Sequence, residues 1–473
     1  MSTSPQGQGH PRRWLILAVI CLAQLTVLLD NTILNVAIPS LTRELDASTA
    51  DIQWMINAYS LVQSGLLLTA GSAADRYGRR KMLAAGLVLF GVGSVVAGFA
   101  GTSAQLIAAR AGMGVGGALL LTTTLAVAMQ IFAPEEQPKA IGIWAAVNAL
   151  GFATGPLVGG LMLDHFRWGA IFLINLPVAV LALVAVLALV PESKNPRGDR
   201  PDLLGALLST IGMASLVFAI ISGPAHGWTS ARVLGSAAVA AVVLTLFARW
   251  ESRIPFPMLD LEFFRDRRFT GAVGGAVLIT FGMGGALFLL TQHLQSVLGY
   301  GPLEAGLRTA PLALTVVVLN FSGLAAKATA RFGTPLSVLA GMVLMAGGLV
   351  SIACGGAGYG GVAAGLVLIG VGCAVANPAM AHAVMSAIPP EKAGVGAGVN
   401  GTLAEFGNGL GVAVLGAVLS SSLTSGRSLA DGLGAGLLVG AVAVLGGGLV
   451  AAGLLRRADR EEAPTAAVSR SMK

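Results

Sequence analysis

The chain contains fourteen apolar runs, each long enough to cross a lipid bilayer as one helix. About eighteen apolar residues suffice to span a hydrocarbon core roughly 30 Å thick. Backbone groups in that core cannot bond to water, so runs of this length predict helices rather than irregular chain. The sequence therefore predicts an all-α polytopic membrane protein. The predicted spans are 14–38, 52–74, 82–100, 104–129, 139–163, 168–190, 203–222, 231–250, 269–292, 303–326, 336–354, 359–385, 393–420 and 433–455.

The composition excludes several classes of protein. Hydrophobic residues make up 55% of the chain and charged residues only 11%, whereas soluble proteins carry about 25% charged residues. The net charge of +7 is spread over short loops, which argues against a nucleic-acid-binding domain. The three cysteines lie in apolar runs and predict no disulfide framework. No nucleophile–histidine–acid set or metal-ligand cluster falls on one side of the predicted membrane, so we predict no enzymatic activity, metal or cofactor.

The distribution of cations predicts the orientation. With the N-terminus inside, the inward segments hold 23 of the 29 Lys and Arg residues, and Arg110 lies within a span. Loops rich in Lys and Arg stay on the cytoplasmic side. Both termini, 1–13 and 456–473, are therefore predicted to be cytoplasmic tails. The outward segments hold only five cations: Arg43, Arg167, Arg232, Arg308 and Arg427.

An internal repeat at an offset of 255 residues divides the chain. Segment 74–79 aligns with 329–334, and Pro134 aligns with Pro389. Parallel repeats of this kind build transporters from two related halves. The pattern predicts two six-span halves, 14–190 and 269–455, with two additional helices between them in the linker region 191–268.

Three ionisable residues fall inside predicted spans: Asp30, Arg110 and Glu405. Each costs about 2.5–3.5 kcal/mol to insert, so such residues are candidates for function. Asp30 lies roughly 24 Å from the cytoplasmic face and Arg110 roughly 9 Å from the outer face, at 1.5 Å per residue. These depths are similar, so the two side chains are predicted to pair. A carboxylate that loses this partner binds a proton more readily, as a proton carrier requires; the alternative is a permanent structural ion pair.

Glu405 is predicted to lie roughly 18 Å from the cytoplasmic side, close to the midplane. No lysine or arginine shares its span. Three interpretations remain open: a second proton site, the counter-charge for a cationic substrate, or a protonated carboxyl group bonded to a neighbouring helix.

Two motifs lie at places where helices must meet or turn. The loop from Gly71 to Lys81 sits between two apolar runs and carries one aspartate and four cations. In the fifth span, Gly151, Gly155 and Gly159 recur every four residues, so they share one face and allow close helix contact. Pro156 in the same span removes one backbone hydrogen bond.

These segments together resemble the major facilitator superfamily, and in particular its fourteen-span drug:proton antiporters of the EmrB/QacA type. The loop resembles the G-x-x-x-D-R-x-G-R-[RK] pattern between the second and third spans. The Gly-Pro segment of span 5 resembles a motif associated with exporters, and Arg110 matches an arginine used in proton coupling. The resemblance implies that conformational gating involves the loop and span 5, through Gly71, Asp75, Arg76, Gly78, Arg79, Arg80, Gly151, Gly155, Pro156 and Gly159.

The resemblance also implies a proton-coupled multidrug efflux antiporter that exports lipophilic, cationic compounds by alternating access. Such a protein works with a small-molecule substrate and protons, as a monomer, in the inner membrane of a bacterium. Some dication exporters of this type carry an aspartate in span 10, and this chain has no acid between Ala305 and Ala326. The alternative is a dedicated exporter of an antibiotic or metabolite made by the cell. The predicted cavity lining is Asn31, Asn35, Trp54, Tyr59, Trp144, Asn148, Phe281 and Glu405.

Overall fold

The computed structural model describes residues 11–133, 135–194, 201–255, 257–355, 358–388 and 393–471. The side chains of 138, 145, 148, 149, 152, 153, 385, 393–397 and 459–471 lie outside that description. Within these ranges all regular structure is helical. The first seven helices are α1 (Arg13–Glu44), α2 (Thr49–Tyr77), α3 (Arg79–Gly98), α4 (Ser103–Ile131), α5 (Gln137–His165), α6 (Ala170–Leu173) and α7 (Asn175–Leu189). The next two are α8 (Leu203–His226) and α9 (Ala231–Glu251).

A short 3-10 helix, Leu261–Arg265, precedes the remaining helices. These are α10 (Arg267–Gln292), α11 (Pro302–Arg308), α12 (Ala310–Phe321), α13 (Leu324–Phe332), α14 (Thr334–Cys354), α15 (Tyr359–Ser386), α16 (Ala393–Thr424) and α17 (Leu429–Ser471). A π-helical turn, His293–Val297, extends α10.

Twelve helical segments of the described chain are long and apolar enough to cross a membrane. The pairs α6–α7 and α11–α12 each count as one segment, Ala170–Leu189 and Pro302–Phe321. The two other predicted runs also form helices, α2 and α5, of 29 residues each, but neither is among the twelve. In α2 the apolar character is lowered by buried polar residues: Gln53, Asn57, Ser60, Gln63 and Ser64.

One pair of residues aligned by the internal repeat shares a positive φ. Gly78 ends α2 and precedes α3 with φ +120°, and Gly333 ends α13 and precedes α14 with φ +80°. The two glycines are equivalent at the 255-residue offset. Residues with a side chain rarely adopt positive φ, so glycine makes both sharp connections possible. Pro134 and Pro389, the other aligned pair, lie outside the described residues.

The described helices cluster into two compact units. The first comprises 1–216, 237–247 and 294–310, and the second 217–236, 248–293 and 311–473. In the first unit, α4 packs against α2 and α3, while α1 packs against α5 and α7. In the second unit, α10 packs against α16 and α17, and α14 against α15 and α17. The predicted division into halves and linker remains a prediction.

Several predicted span boundaries differ from the structure, and two of the differences are informative. The predicted span 303–326 is broken, because α12 ends at Phe321 and Gly323 adopts the left-handed conformation with φ +68° before α13 begins. The last helix, α17, continues beyond the predicted limit of 455 to Ser471. Hydrophobicity predicts where an apolar run ends, whereas a helix ends where its backbone leaves the helical conformation.

Candidate functional site

Asp30 and Arg110 form a buried ion pair between α1 and α4. The Arg110 guanidinium donates from Nη1 to the Asp30 carboxylate, and Asp30 and Arg110 are 0% and 1% exposed. An isolated charge at this depth is costly, and a hydrogen-bonded partner of opposite sign offsets part of that cost. The pairing expected from the depths of the two residues is therefore present in the structure.

Arg110 is held by two further contacts from α2. Its Nε donates to the backbone oxygen of Met55 at 3.0 Å, and its guanidinium carbon lies 4.3 Å from the centre of the Tyr59 ring. A cation over an aromatic face is attracted by the negative face of the ring. The aromatic ring is itself packed edge-on against Phe90 of α3. Three helices therefore fix the guanidinium beside Asp30.

Asn175 at the start of α7 binds the other oxygen of the carboxylate. Its amide nitrogen donates to Asp30 Oδ1 at 3.3 Å and to Ser94 Oγ at 3.4 Å. Asn175 and Ser94 are both buried. Neither residue was predicted as a site residue, although both are polar positions in apolar runs. The site thus consists of one carboxylate, one guanidinium and two neutral polar side chains, closed to solvent.

The predicted loop Gly71–Lys81 is helical in the structure except at Gly78, because α2 continues to Tyr77 and α3 begins at Arg79. Its charges are held in a defined arrangement. The Arg79 side chain donates to Asp75 Oδ1 at 2.8 and 2.9 Å, and its Nη1 donates to the Ala126 oxygen of α4 at 3.1 Å. Arg80 contributes through its backbone, whose N–H donates to Glu192 Oε1 at 3.2 Å. The predicted gating residue Asp75 is therefore bound to Arg79 in this conformation. Gly71 has no atom within 4 Å of where a side chain would begin.

The glycines of α5 bring that helix close to α1. A methyl group on Gly151 would lie 2.9 Å from Leu28 Cβ, and one on Gly155 would lie 2.9 Å from Thr32 Cβ. One on Gly159 would lie 2.7 Å from Ile33 Cγ1. Real Cβ atoms essentially never come so close, so all three glycines are required by this packing. They lie on one face, as their spacing predicts.

A second face of α5 contacts α11 through two other glycines. A methyl group on Gly160 would lie 2.7 Å from Leu303 Cα, and one on Gly306 would lie 2.9 Å from the carbonyl carbon of Pro156. Gln295, just before α11, donates to the Val36 oxygen of α1 at 2.8 Å. Within this unit, α5 is therefore in backbone-to-backbone contact on two sides. The four-residue spacing did not reveal the second contact.

The family is decided by comparison with known proteins. Residues 20–412 match the profile described as Major Facilitator Superfamily. The chain belongs to the major facilitator superfamily. This is a family of transporters, which agrees with the prediction that the chain is not an enzyme. Its twelve candidate spans make it an integral membrane protein.

Curated relatives of this superfamily member carry names of resistance and export. The multidrug resistance protein Stp of Mycobacterium tuberculosis is 38% identical, covering 84% of this chain and 74% of the relative. The multidrug efflux pump LfrA of Mycolicibacterium smegmatis is 36% identical, covering 89% and 84%. The tetracenomycin C resistance and export protein of Streptomyces glaucescens is 34% identical, covering 88% and 79%.

Solved structures confirm the fold of the superfamily. A crystal structure of the peptide transporter POT with sulfate superimposes with a TM-score of 0.69 at 16% identity, covering 94% of this chain and 95% of that one. The human organic anion transporter MFSD10 gives 0.62 at 17% identity, covering 93% and 100%. At these identities the similarity concerns the helical fold.

Glu405 lies on α16 in the second unit, where that helix packs closely on α10. Its Oε2 is enclosed and has no hydrogen-bond partner among the residues that the structure describes. Asn400 Oδ1 and Thr402 Oγ1 on the same helix share this condition. A methyl group on Gly411 would lie 2.8 Å from the carbonyl carbon of Phe281. The region combines a tight helix contact with polar atoms that can still accept or donate a hydrogen bond.

The structure places the other predicted cavity residues in varied surroundings. Tyr59 is buried beneath Arg110, and Phe281 is 5% exposed. Asn35 is buried with Oδ1 lacking a partner in the described chain, whereas Asn31 and Trp54 are half-buried. Trp144 Nε1 donates to Thr124 Oγ1 at 3.4 Å, and that hydroxyl donates to Gln24 Oε1 at 3.0 Å. The Asn148 side chain lies outside the described residues, and a cavity role for this set remains a prediction.

Proposed function

We propose that this protein is a proton-coupled drug efflux antiporter that exports lipophilic, cationic compounds. Relatives that are 34–38% identical to this chain are named for multidrug resistance, drug efflux and antibiotic export, and these names support the proposal. Most of the chain takes part in the similarity, since the matches cover 84–89% of its length. The working partners are a small-molecule substrate and protons, and the functional form is a monomer.

The observation that carries the proton coupling is the buried Asp30–Arg110 pair. The carboxylate is neutralised by one guanidinium, so movement of α1 relative to α4 would leave it without its counter-charge. A buried carboxylate in that condition takes up a proton. In our proposal, a proton from outside binds Asp30, substrate is released outward, and the protonated carrier returns to face the cytoplasm. Re-formation of the pair then releases the proton inside.

The proposed topology has fourteen spans with both termini in the cytoplasm. The helices α2 and α5 would cross alongside the twelve apolar segments, because a helix of 29 residues extends about 43 Å. The polar residues of α2 would then lie in the protein interior, as their burial in the first unit suggests. The cation distribution supports the orientation under the positive-inside rule.

Alternating access would use the glycine contacts of α5 and the charged loop. In transporters of this kind, one repeat rocks against the other around a central site. Gly151, Gly155 and Gly159 would give α1 and α5 a smooth surface to move on, and the Asp75–Arg79 pair would hold the loop in one of the two states. Pro156 contacts α11 at Gly306, so it would move with that interface.

Glu405 is proposed to bind the cationic substrate. Its free carboxylate oxygen supports this role, and Asn400 and Thr402 would contribute neutral polar atoms. Exchange of one proton for one monovalent cation moves no net charge, so only the pH gradient would drive it. Each additional proton that enters per cycle would add about 2.3 kcal/mol of driving force per 100 mV of membrane potential. A monovalent cation is therefore a substrate that a single proton at Asp30 can export without cost from the membrane potential, whereas a dication would be opposed by it.

A second candidate function is export of a single antibiotic made by the same cell. The relative from Streptomyces glaucescens is named for resistance to one compound, tetracenomycin C, and for its export. The two functions share the transport mechanism and differ in the range of compounds that the cavity accepts.

Ethidium efflux in a bacterium lacking its own drug pumps tests the proposed function. The intact protein is compared with Glu405→Gln and with Glu262→Gln, a control that removes an exposed carboxylate near α10. We expect a protonophore to abolish ethidium efflux and Glu405→Gln to reduce it more than the control does. Absence of efflux from a well-expressed, folded protein would contradict the multidrug proposal and favour the dedicated exporter.

A further inference from the structure

A cleft of about 480 Å³ opens in the second unit where three apolar helices end at the same level. α8 ends there at His226, α16 ends at Thr424, and α17 begins at Leu429. All three belong to the twelve candidate spans of the described chain, and we place the ends of these helices at one surface of the bilayer. The lining residues are Ile220, Trp228, Val414, Ala417, Val418, Ser421, Ser422, Ser425, Arg427 and Ala435.

The lining changes from apolar to polar along α16. Val414, Ala417 and Val418 lie one or more turns before the end of the helix, on the side of the bilayer core. The serines Ser421 and Ser425 follow at its end. This is the order in which a phospholipid presents its parts, with acyl chains towards the core and a polar headgroup at the surface. A cleft with this gradient fits one amphipathic molecule.

Arg427 gives the polar end a positive charge. It is exposed, and the structure records no ion pair for it among the described residues. The nearest acid along the chain, Asp431, accepts from the Ser428 hydroxyl at 2.6 Å. The turn that carries Arg427 is fixed, because Gly426 has φ +76° and the Arg427 N–H donates to the Ser422 oxygen at 3.1 Å. The cation is therefore held at the mouth of the cleft.

Trp228 also lines the cleft. A methyl group on Gly223 would lie 2.6 Å from its indole ring, so the missing side chain of Gly223 lets the ring lie against α8. Tryptophan is enriched at the level of lipid headgroups. Its position agrees with the level assigned from the ends of the three helices.

We propose that this cleft binds an anionic phospholipid. The phosphate lies against the Arg427 guanidinium and the Ser421 hydroxyl, whereas the Ser425 hydroxyl donates to the Ser421 backbone oxygen at 2.8 Å. An acyl chain follows Val414 and Val418 towards the core. Basic pockets between membrane helices are suited to anionic headgroups. A cationic drug is disfavoured at the same place because Arg427 would repel it. The site is separate from the residues proposed for substrate and proton.

Lipid binding to the purified full-length protein tests this proposal. Native mass spectrometry gives apparent affinities for dioleoyl phosphatidylglycerol, dioleoyl phosphatidylcholine and glycerol 3-phosphate. Arg427→Gln removes the charge, Ser421→Trp fills the cleft while keeping Arg427, and Arg167→Gln removes an exposed cation elsewhere as the control. Gel filtration establishes whether each variant is folded. Because Arg427→Gln changes only an exposed turn, its result remains a valid test even if Ser421→Trp does not fold.

We expect phosphatidylglycerol to bind more tightly than phosphatidylcholine. Arg427→Gln should weaken its binding about fivefold, the effect of one cation near an anionic lipid surface. Ser421→Trp should weaken it as well, and Arg167→Gln should leave it unchanged. Equal phosphatidylglycerol affinity in Arg427→Gln and the intact protein would overturn the proposal. Glycerol 3-phosphate binding as tightly as the lipid would also overturn it, since the cleft would then be a site for free phosphate esters.

Discussion

Asp30 on α1 and Arg110 on α4, 80 residues apart in the chain, form an ion pair in which both side chains are closed to solvent. Met55, Tyr59 and Asn175 complete the shell around the pair. Among the described residues, the recorded contacts of the arginine other than the carboxylate are with neutral groups. The charge of this site is therefore balanced one to one, and any change in the protonation of Asp30 leaves a net positive charge in the first unit.

Removal of one partner should cost more than removal of both. Arg110→Gln alone leaves a buried carboxylate without a counter-charge, which in soluble proteins destabilises by about 3–5 kcal/mol. We expect Arg110→Gln to lower the yield of folded protein, measured by fluorescence-detected gel filtration, and Asp30→Asn combined with Arg110→Gln to restore it. Neither variant should transport drug. Equal yields for the single and double variants would show that the pair does not stabilise the fold.

Arg110→Lys separates the effect of side-chain geometry from the effect of charge, because it keeps the positive charge. A lysine retains the positive charge but cannot bind Asp30 and the Met55 oxygen together through a planar fork. We expect Arg110→Lys to reach normal yield and to lose most ethidium efflux. Full efflux would indicate that a point charge suffices beside Asp30.

The contact between α1 and α5 predicts a compensating pair of substitutions. In Gly155→Ala the new methyl group would collide with the Thr32 hydroxyl and lie 2.9 Å from Thr32 Cβ. We expect a loss of stability of about 1–3 kcal/mol, the range for overpacking, measured as thermal unfolding in detergent. Adding Thr32→Ala removes the hydroxyl and should recover part of the loss. Gly142→Ala on the same helix has open space and serves as the control.

The repeat glycines should both resist substitution. Gly78 and Gly333 adopt positive φ at equivalent connections, so alanine at either position stores strain of about 1–3 kcal/mol. Gly78→Ala carries an added steric cost, since its methyl group would lie 2.8 Å from the Glu192 carboxyl carbon. Gly71→Ala belongs to the same loop but meets nothing within 4 Å. Thermal unfolding should therefore distinguish Gly78→Ala and Gly333→Ala from Gly71→Ala.

The two adjacent arginines of the loop should differ in importance. Arg79 binds Asp75 and the Ala126 oxygen through its side chain, whereas the recorded bond of Arg80 is through its backbone N–H. We expect Arg79→Gln to impair ethidium efflux strongly and Arg80→Gln to impair it only slightly. Both variants remove one positive charge, so each controls for the effect of charge on orientation. Equal impairment would show that charge, rather than contact, is what the loop requires.

Much of this arrangement could be predicted from the sequence because membranes restrict it so strongly. Apolar run length indicated the helices, and the depths of Asp30 and Arg110 indicated their pairing. Asn175 and Ser94 were not identified, since a neutral polar residue in a span costs too little to stand out and its partner depends on helix rotation. The contact of Gly160 with α11 was missed for the same reason, because spacing along one helix cannot reveal which neighbour it faces.

The break at Gly323 shows a different limit. Hydrophobicity is continuous across Phe321 to Ala326, so the sequence predicted one span to residue 326. The left-handed conformation of Gly323 ends α12 earlier, and a lone glycine inside an apolar run gives no reliable sign of that. Polar residues had the opposite effect on α2, which forms a 29-residue helix although its hydropathy keeps it outside the twelve apolar segments.

Proton movement on addition of drug tests the central claim most directly. The purified protein is reconstituted into liposomes with a pH-sensitive dye inside, and ethidium is added in the absence of an imposed pH gradient. We predict that the intact protein and Glu44→Gln, a control on the exposed end of α1, move protons in the direction opposite to ethidium. Asp30→Asn should move none. Proton flux that persists in a folded Asp30→Asn variant, or ethidium transport by the intact protein without proton flux, would contradict the account.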